Sequence, residues 1–267
     1  MASPPPVALS IAGSDCSAGA GIQADLKTFQ HFHVHGLTAV TCVVSETAQV
    51  VETVHPVPTE TIAGQVALLL KSFPVQAIKT GMLFSADVIH AVAEQIKNHP
   101  SSALVIDPVM VASSGASLLQ QDAVDTYKNE LFPLAQLITP NIPEAETLLG
   151  STIKTTADME SAAQKLSQQY GTAILLKGGH LMGDHCIDIL AQGGSIERFE
   201  EPRIPVADSH GTGCTLSAAI TAALANGESL QQAIQSAKSY LSHTLKSSYT
   251  YQQAAGGTIH ALNQGTQ

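Results

Sequence analysis

The stretch Val7-Ala-Leu-Ser-Ile-Ala-Gly-Ser-Asp-Cys-Ser-Ala-Gly-Ala-Gly21, read with the residues after it, decides the fold class. Val7 to Ala12 is a short apolar run, the pattern of a strand buried on both faces. Gly13 to Gly21 breaks that run with small residues. Ile22 to Phe32 reads as a helix, and Thr38 to Ser45, β-branched and apolar, as a second strand.

The same alternation runs down the chain. Thr59 to Phe73 carries Ile62, Val66, Leu69, Leu70 and Phe73 on one helical face. Gln76 to Lys79 is a short strand, and Ser85 to Asn98 a helix with Ser85 as cap. Ala103 to Asp107, Leu137 to Thr139 and Thr172 to Lys177 are strands; Asp122 to Leu131 and Thr156 to Tyr170 are helices. His185 to Ala191 and Ile196 to Glu200 flank Gln192-Gly-Gly-Ser195, a hairpin signal. Cys214 to Asn226 spaces Leu216, Ala219, Ile220, Ala223 and Leu224 as an amphipathic helix, closed by Gly227, and Glu228 to Lys246 repeats the helical period. Strands alternating with helices predict a largely parallel sheet covered on both faces, in a single α/β domain over residues 1–267. Residues 1–6 and 254–267 read as loosely ordered ends.

Composition narrows the function. Twelve basic against 22 acidic residues give a formal charge of −10, which argues against a nucleic-acid or anionic-membrane surface. No apolar stretch approaches the length needed to cross a bilayer. Cys16, Cys42, Cys186 and Cys214 form no C-x-x-C pair, so neither a zinc site nor a thioredoxin motif is supported. Scattered thiols suggest a reducing cytoplasm, although their even number leaves a secreted two-disulfide reading open.

Ligands of open parallel sheets gather at the carboxyl ends of the strands. There the chain places Gly13 to Gly21, Thr80-Gly-Met82, Asp107-Pro-Val-Met110, Thr139-Pro-Asn-Ile-Pro-Glu144 and Lys177-Gly-Gly-His180. The sharpest segment is Ser209-His-Gly-Thr-Gly-Cys-Thr215, which runs straight into a helix. Its glycines and the unpaired amides of a first helical turn suit a phosphate oxygen or a developing anion. Cys214 in that turn is expected to have a lowered pKa and thiolate character; a glycine-rich turn beside a buried cysteine is the plain alternative. Gly19-Ala-Gly-Ile-Gln-Ala24 with Glu46 outlines a dinucleotide fold, but about six positions separate Gly13 from Gly19, where the Rossmann turn follows its strand at once. A loop closing over a small substrate, with Asp15 or Asp25 as acceptors, fits better. Asp107 and Glu144 follow neighbouring strands and suit a hydrated Mg²⁺, or else cap a turn and a helix. His31, His33 and His35 lack an acidic partner and read as a polar helix end.

These motifs, in this order from about Val7 to Leu245, resemble the hydroxymethylpyrimidine/phosphomethylpyrimidine kinases of the ribokinase-like superfamily. The resemblance implies a three-layer α/β/α sandwich, commonly a homodimer, that phosphorylates the hydroxymethyl group of an aminopyrimidine with MgATP and then adds a second phosphate for thiamine biosynthesis. It implies that Gly13, Asp25, Glu46 and Met82 serve the pyrimidine, and that Lys177, Ser209, Thr212 and Asn141 serve ATP. Asp107 and Glu144 would serve Mg²⁺, Gly211 and Gly213 the anion hole, and Cys214 the role of base. Residues around Val111 to Leu119 would form a lid. Relatives usually carry Pro at Cys16, Gly at Ala18 and Gln at Glu46. An ionised Glu only accepts hydrogen bonds, whereas Gln accepts and donates at once. Glu46 or the ring it faces is therefore expected to bind protonated, and pyridoxal or pyridoxine is the alternative substrate.

Overall fold

The computed structural model describes residues 3–100, 102–110, 123–205, 210–253 and 256–265. Nine strands form its main sheet: β1 (Val7–Asp15), β2 (His35–Thr47), β3 (Val50–Pro56), β4 (Val75–Thr80), β5 (Ala103–Ile106), β6 (Leu137–Ile138), β7 (Ala173–Leu176), β8 (His185–Gln192) and β9 (Ser195–Pro202). Their order is β3-β2-β1-β4-β5-β6-β7-β8-β9. The six from β2 to β7 run parallel; β3 and β8 run antiparallel to them at the two margins, and β9, antiparallel to β8, shares the direction of β7.

Alternation along each strand divides the core into two sides. Leu9, Ile11, Ile78, Leu104, Ile106, Ile174 and Leu176 pack with α2 (Thr59–Ser72), α3 (Ala86–Lys97), α4 (Ala123–Thr126), α5 (Ile142–Leu149) and α6 (Thr156–Tyr170). Ala8, Ala77, Val105, Leu137 and Leu175 face α1 (Gly21–His31), α7 (Thr212–Ala225) and α8 (Leu230–Lys246). The result is the three-layer α/β/α sandwich with a mostly parallel sheet that the alternation predicts.

Several local expectations are corrected. Helix α7 is not amphipathic: Thr215 to Ala223 are all buried. Small side chains at Ser217, Ala218, Ala219, Ala222 and Ala223 let the sheet, α1 and α8 close around it. The helix expected over Asp122 to Leu131 is a short α-turn that widens to a π-helix over Tyr127–Leu131. Strand β3 went unread because its residues are mostly exposed at the sheet margin, where the apolar signal fades. The C-terminal end is not loose where it is described. β10 (Tyr249–Gln252) and β11 (Thr258–Ala261) form a hairpin, after which Leu262 and Gln264 are buried. At the other end, the Pro6 carbonyl accepts from the His35 amide at 2.8 Å. His31, His33 and His35 straddle the end of α1 and the start of β2, and His31 stacks near Tyr240. The expected lid around Val111 to Leu119 and the site residue Ser209 lie outside the described residues.

Candidate active site

A cavity of about 470 Å³ runs along the carboxyl ends of the strands, within the size range of small-ligand sites. In sheet order, one end is lined by Glu46 and Val44 of β2, Gly13 of β1 and Met82 after β4. The middle holds Lys79, Asp107, Asn141, Glu144 and Lys177. The far end reaches Cys186, Pro202 and Leu245 near β8, β9 and α8. Gly211, Thr212, Gly213 and Cys214 form a further wall.

Each wall follows from local chain chemistry. Gly211 is the N-cap of α7 with φ +79°, and a Cβ there would lie 2.0 Å from the Gly19 carbonyl oxygen. The two glycine segments are thus in backbone contact, which a side chain at Gly211 would prevent, and a Cβ on Gly19 would press within 2.8 Å of the His210 ring. Gly21, at φ +58°, is also held tightly, a Cβ there lying 2.4 Å from the Gly13 carbonyl oxygen. Ala18 also adopts a positive φ, +61°, which a glycine would adopt without strain. The Asp15 carboxylate organises this loop. It accepts from the amides of Ser17, Gly19 and Ala20 at 2.7–3.0 Å and lies 2.9 Å from His210 Nε2. Burial alone would push this carboxyl up, but His210 and the loop's donors outweigh it and hold it at about 2. Its oxygens are spent on the protein itself, so Asp15 is a loop organiser rather than a free acceptor for a substrate.

Asp25 does not line the cavity. It is fully buried on α1, its two oxygens each 2.9 Å from Lys79 Nζ, with Ser10 donating to one of them. Burial drives its carboxyl above the ordinary range despite Lys79. Against the downward pull of its own burial, Lys79 is held above its ordinary value by Asp25, with Cys214 and Asp107 adding to the effect. Lys79 does reach the cavity wall. The helical period of α1 turns Asp25 inward together with Ala24 and Thr28, which the motif alone does not reveal. The pyrimidine contact expected of Asp25 is therefore replaced by an ion pair that fixes Lys79.

Asp107, at the end of β5, pairs with Lys177 at 2.8 Å and accepts from Ser217 at 3.2 Å. Glu144 and Asn141 form a reciprocal capping box at the start of α5: the Asn141 amide donates to Glu144 at 2.8 Å, and the Glu144 amide donates to Asn141 at 2.9 Å. Glu144 is thus both a helix cap and a cavity wall. Burial, offset by Lys177 and reinforced by Asp107, pushes its carboxyl up to about 7. Burial likewise pushes the Cys214 thiol up to about 11, although Lys79 and the Gly21 amide pull it down. The lowered thiol expected from the helix terminus is corrected on this point: removal from water outweighs the dipole. At the opposite wall, burial and the nearby Asp15 raise the Glu46 carboxyl, only partly countered by His210.

Sequence reading missed three supports. Lys238 of α8 pairs with Asp188 at 2.6 Å, and Asp188 in turn accepts from the Gly178 amide at 2.9 Å. Arg203 donates to the carbonyls of Gly179, Leu181 and Gly183, gathering the loop after β7. Gln264 docks the C-terminal segment on Gly19 and Thr215. Long sequence separation hides the first and last, and a lone Arg carries no motif.

A parallel sheet whose strand ends bring an amide-rich helix start, two lysines and two carboxylates into one cavity defines a phosphotransferase of ribokinase-like architecture. The chain belongs to the phosphomethylpyrimidine kinase family, whose model matches residues 15–259. It is 41% identical over 254 residues to the hydroxymethylpyrimidine/phosphomethylpyrimidine kinase of Bacillus subtilis, covering 95% of this chain and 94% of that one. It is 42% identical over 254 residues to a thiamine biosynthesis bifunctional protein of Geobacter sulfurreducens, covering 95% of this chain but 52% of that longer protein. An ADP complex of Bacillus subtilis pyridoxal kinase superposes with a TM-score of 0.88 at 39% identity, covering 97% of each chain. Among the described residues, no helix is long and apolar enough to cross a membrane.

Proposed function

We propose that this kinase transfers the γ-phosphoryl group of ATP to the hydroxymethyl group of 4-amino-5-hydroxymethyl-2-methylpyrimidine, and then phosphorylates the monophosphate to the pyrophosphate used in thiamine biosynthesis. The observation that carries the reading is the shared cavity. Glu46, Gly13 and Met82 line it together with Gly211 to Cys214 and Lys177, so a ring bound by the first set would present its hydroxymethyl group to phosphates held by the second.

In this reading the Cys214 thiolate takes the proton of the substrate hydroxyl. The resulting oxygen attacks the γ-phosphorus in line, and ADP leaves. The amides of Gly211 to Gly213 and the ammonium of Lys177 meet the charge on the transferring group. Lys79, fixed by Asp25, favours the thiolate. Thr212 and Asn141 line the nucleotide side. Asp107 and Glu144 both line the cavity and would hold Mg²⁺; a cation there would favour the ionised form of the Glu144 carboxyl, which burial, offset by Lys177 and reinforced by Asp107, pushes up to about 7. Two carboxylates suit an ion that keeps much of its water. When bound, the ion would neutralise charge on the ATP phosphates. We infer a homodimer in a reducing compartment, as the resemblance implies; Cys16, Cys42, Cys186 and Cys214 are free thiols, in keeping with the second part.

A second reading, pyridoxal or pyridoxine as substrate, has one observation in its favour. Glu46 stands where the resemblance implies a Gln, and a pyridine would meet a carboxyl there differently. ADP release measured across the pyrimidine, its monophosphate, pyridoxal and pyridoxine separates the two. The highest kcat/KM is expected for the pyrimidine and its monophosphate, and a clear excess for either B6 vitamer would overturn the assignment.

A further inference from the structure

The C-terminal segment after β11 returns to the catalytic wall, outside the span matched by the family model, which ends at residue 259. Gln264 is 1% exposed. Its side-chain amide nitrogen donates to the Gly19 carbonyl at 2.9 Å and to Thr215 Oγ1 at 2.9 Å. Its side-chain oxygen lies 3.5 Å from Lys27 Nζ, and its backbone carbonyl accepts from the Tyr240 hydroxyl at 2.6 Å. Thr215 in turn donates to the Gly211 carbonyl at 2.7 Å. One primary amide therefore spans the seam between two glycine segments that already touch at Gly19 and Gly211. Both segments lead to Cys214: Thr215 follows it in the chain, and the Gly21 amide pulls its thiol downward against burial.

We propose that Gln264 is a positioning residue for phosphoryl transfer, its two amide hydrogens stapling the Gly19 to Gly21 loop to the start of α7 so that the anion-binding amides and Cys214 hold one geometry. A primary amide suits the task because both targets, a carbonyl and a hydroxyl whose own hydrogen is committed to Gly211, need a donor. Buried acceptors left without one relax toward water or another partner. Small displacements of a catalytic wall are costly: about 1 Å can cost on the order of 10²-fold in rate. The proposal rests on the kinase reading for its rate consequence and on geometry alone for the staple.

The test compares Gln264→Ala with Gln264→Glu. Glutamate keeps the volume and can pair with Lys27, so the tail stays docked, but its carboxylate faces the Gly19 carbonyl without a donor. Both variants are expected to lose about 10- to 100-fold in kcat, with KM for ATP and for the heterocycle within about twofold of the parent. The glutamate variant should unfold within a few degrees of the parent. Amide hydrogen exchange should quicken in peptides covering residues 19–21 and 210–217, while the core strands stay protected. A glutamate variant with parental kcat and parental protection there would overturn the proposal. So would a loss of kcat matched by exchange throughout the fold, the mark of a merely structural contact. If the parent itself fails to phosphorylate any of the four heterocycles, the kinase reading falls, and the exchange measurement still judges the staple.

Discussion

The Asp25–Lys79 pair offers the sharpest separation of structure from chemistry, because both side chains have no exposure at all. Removing one partner leaves the other charge buried with nothing to offset it, at a cost of about 3–5 kcal/mol. Asp25→Ala should therefore lower the melting temperature by roughly 6–20 °C, taking about 2–4 °C per kcal/mol for a chain of this size. Ser10 loses its acceptor as well, which places the loss toward the upper end. Replacing both charges, Asp25→Leu with Lys79→Met, removes the orphaned ion and should recover most of that stability. Activity should not recover, because Lys79 also lines the cavity and favours the Cys214 thiolate. Thermal unfolding and steady-state kinetics on the parent and the two variants decide the matter. If Asp25→Ala melts with the parent while its heterocycle KM rises more than tenfold, Asp25 touches the substrate, and the burial reasoning is refuted.

Cys214→Ala should fold and lose on the order of 10²- to 10⁴-fold in single-turnover transfer, the usual contribution of a base. In the parent that rate should climb from pH 6 to pH 9 without a plateau, since a thiol near 11 supplies more thiolate at each step; a flat profile removes the assigned role. Glu46, raised by burial and Asp15, binds best in its protonated form, so pyrimidine affinity should weaken as pH rises from about 6 to 8. Glu46→Gln should flatten that dependence and keep activity, whereas zero proton uptake in calorimetry would move Glu46 away from the ring. Asp15 contributes stability above the carboxylate's ordinary 3.8 that is lost as pH falls through about 2. Its depression is worth about 2 kcal/mol, and Asp15→Asn should melt lower at pH 7 yet converge with the parent near pH 2. Asp107→Asn and Glu144→Gln should raise the Mg²⁺ needed for half-maximal rate more than they change heterocycle KM, and superimposed Mg²⁺ titrations would make both residues purely structural.

Much of the fold was legible because its signals are local. Apolar runs at β1, β4, β5 and β7, the cap at Ser85 and the turn at Gly193-Gly194 depend on near neighbours only. Thr156 to Tyr170 matches its helix at both ends because Thr155 and Asp158 form a capping box and Gly171 takes a positive φ. The strand ends told where a cavity would lie, and Glu46, Met82, Asp107, Glu144, Lys177 and Cys214 do line one. What stayed hidden depends on orientation and on distant partners. Which way Asp25 turns is set by the inner face of α1. The thiol of Cys214 answers to how much protein covers it, which no spacing records. Gln264 meets Gly19 across 245 positions of sequence, and its polar surroundings, Asn263 and Gly265, look like those of any free tail.

One cavity is expected to phosphorylate the pyrimidine twice. Phosphorus NMR of the protein with MgATP and 4-amino-5-hydroxymethyl-2-methylpyrimidine follows this directly. A monophosphate ester signal should rise first and then give way to the paired resonances of a pyrophosphate ester, with ADP accumulating to about two equivalents per pyrimidine. A sample in which pyridoxal is phosphorylated while the pyrimidine remains free, or in which ATP stays intact with every heterocycle, would contradict it.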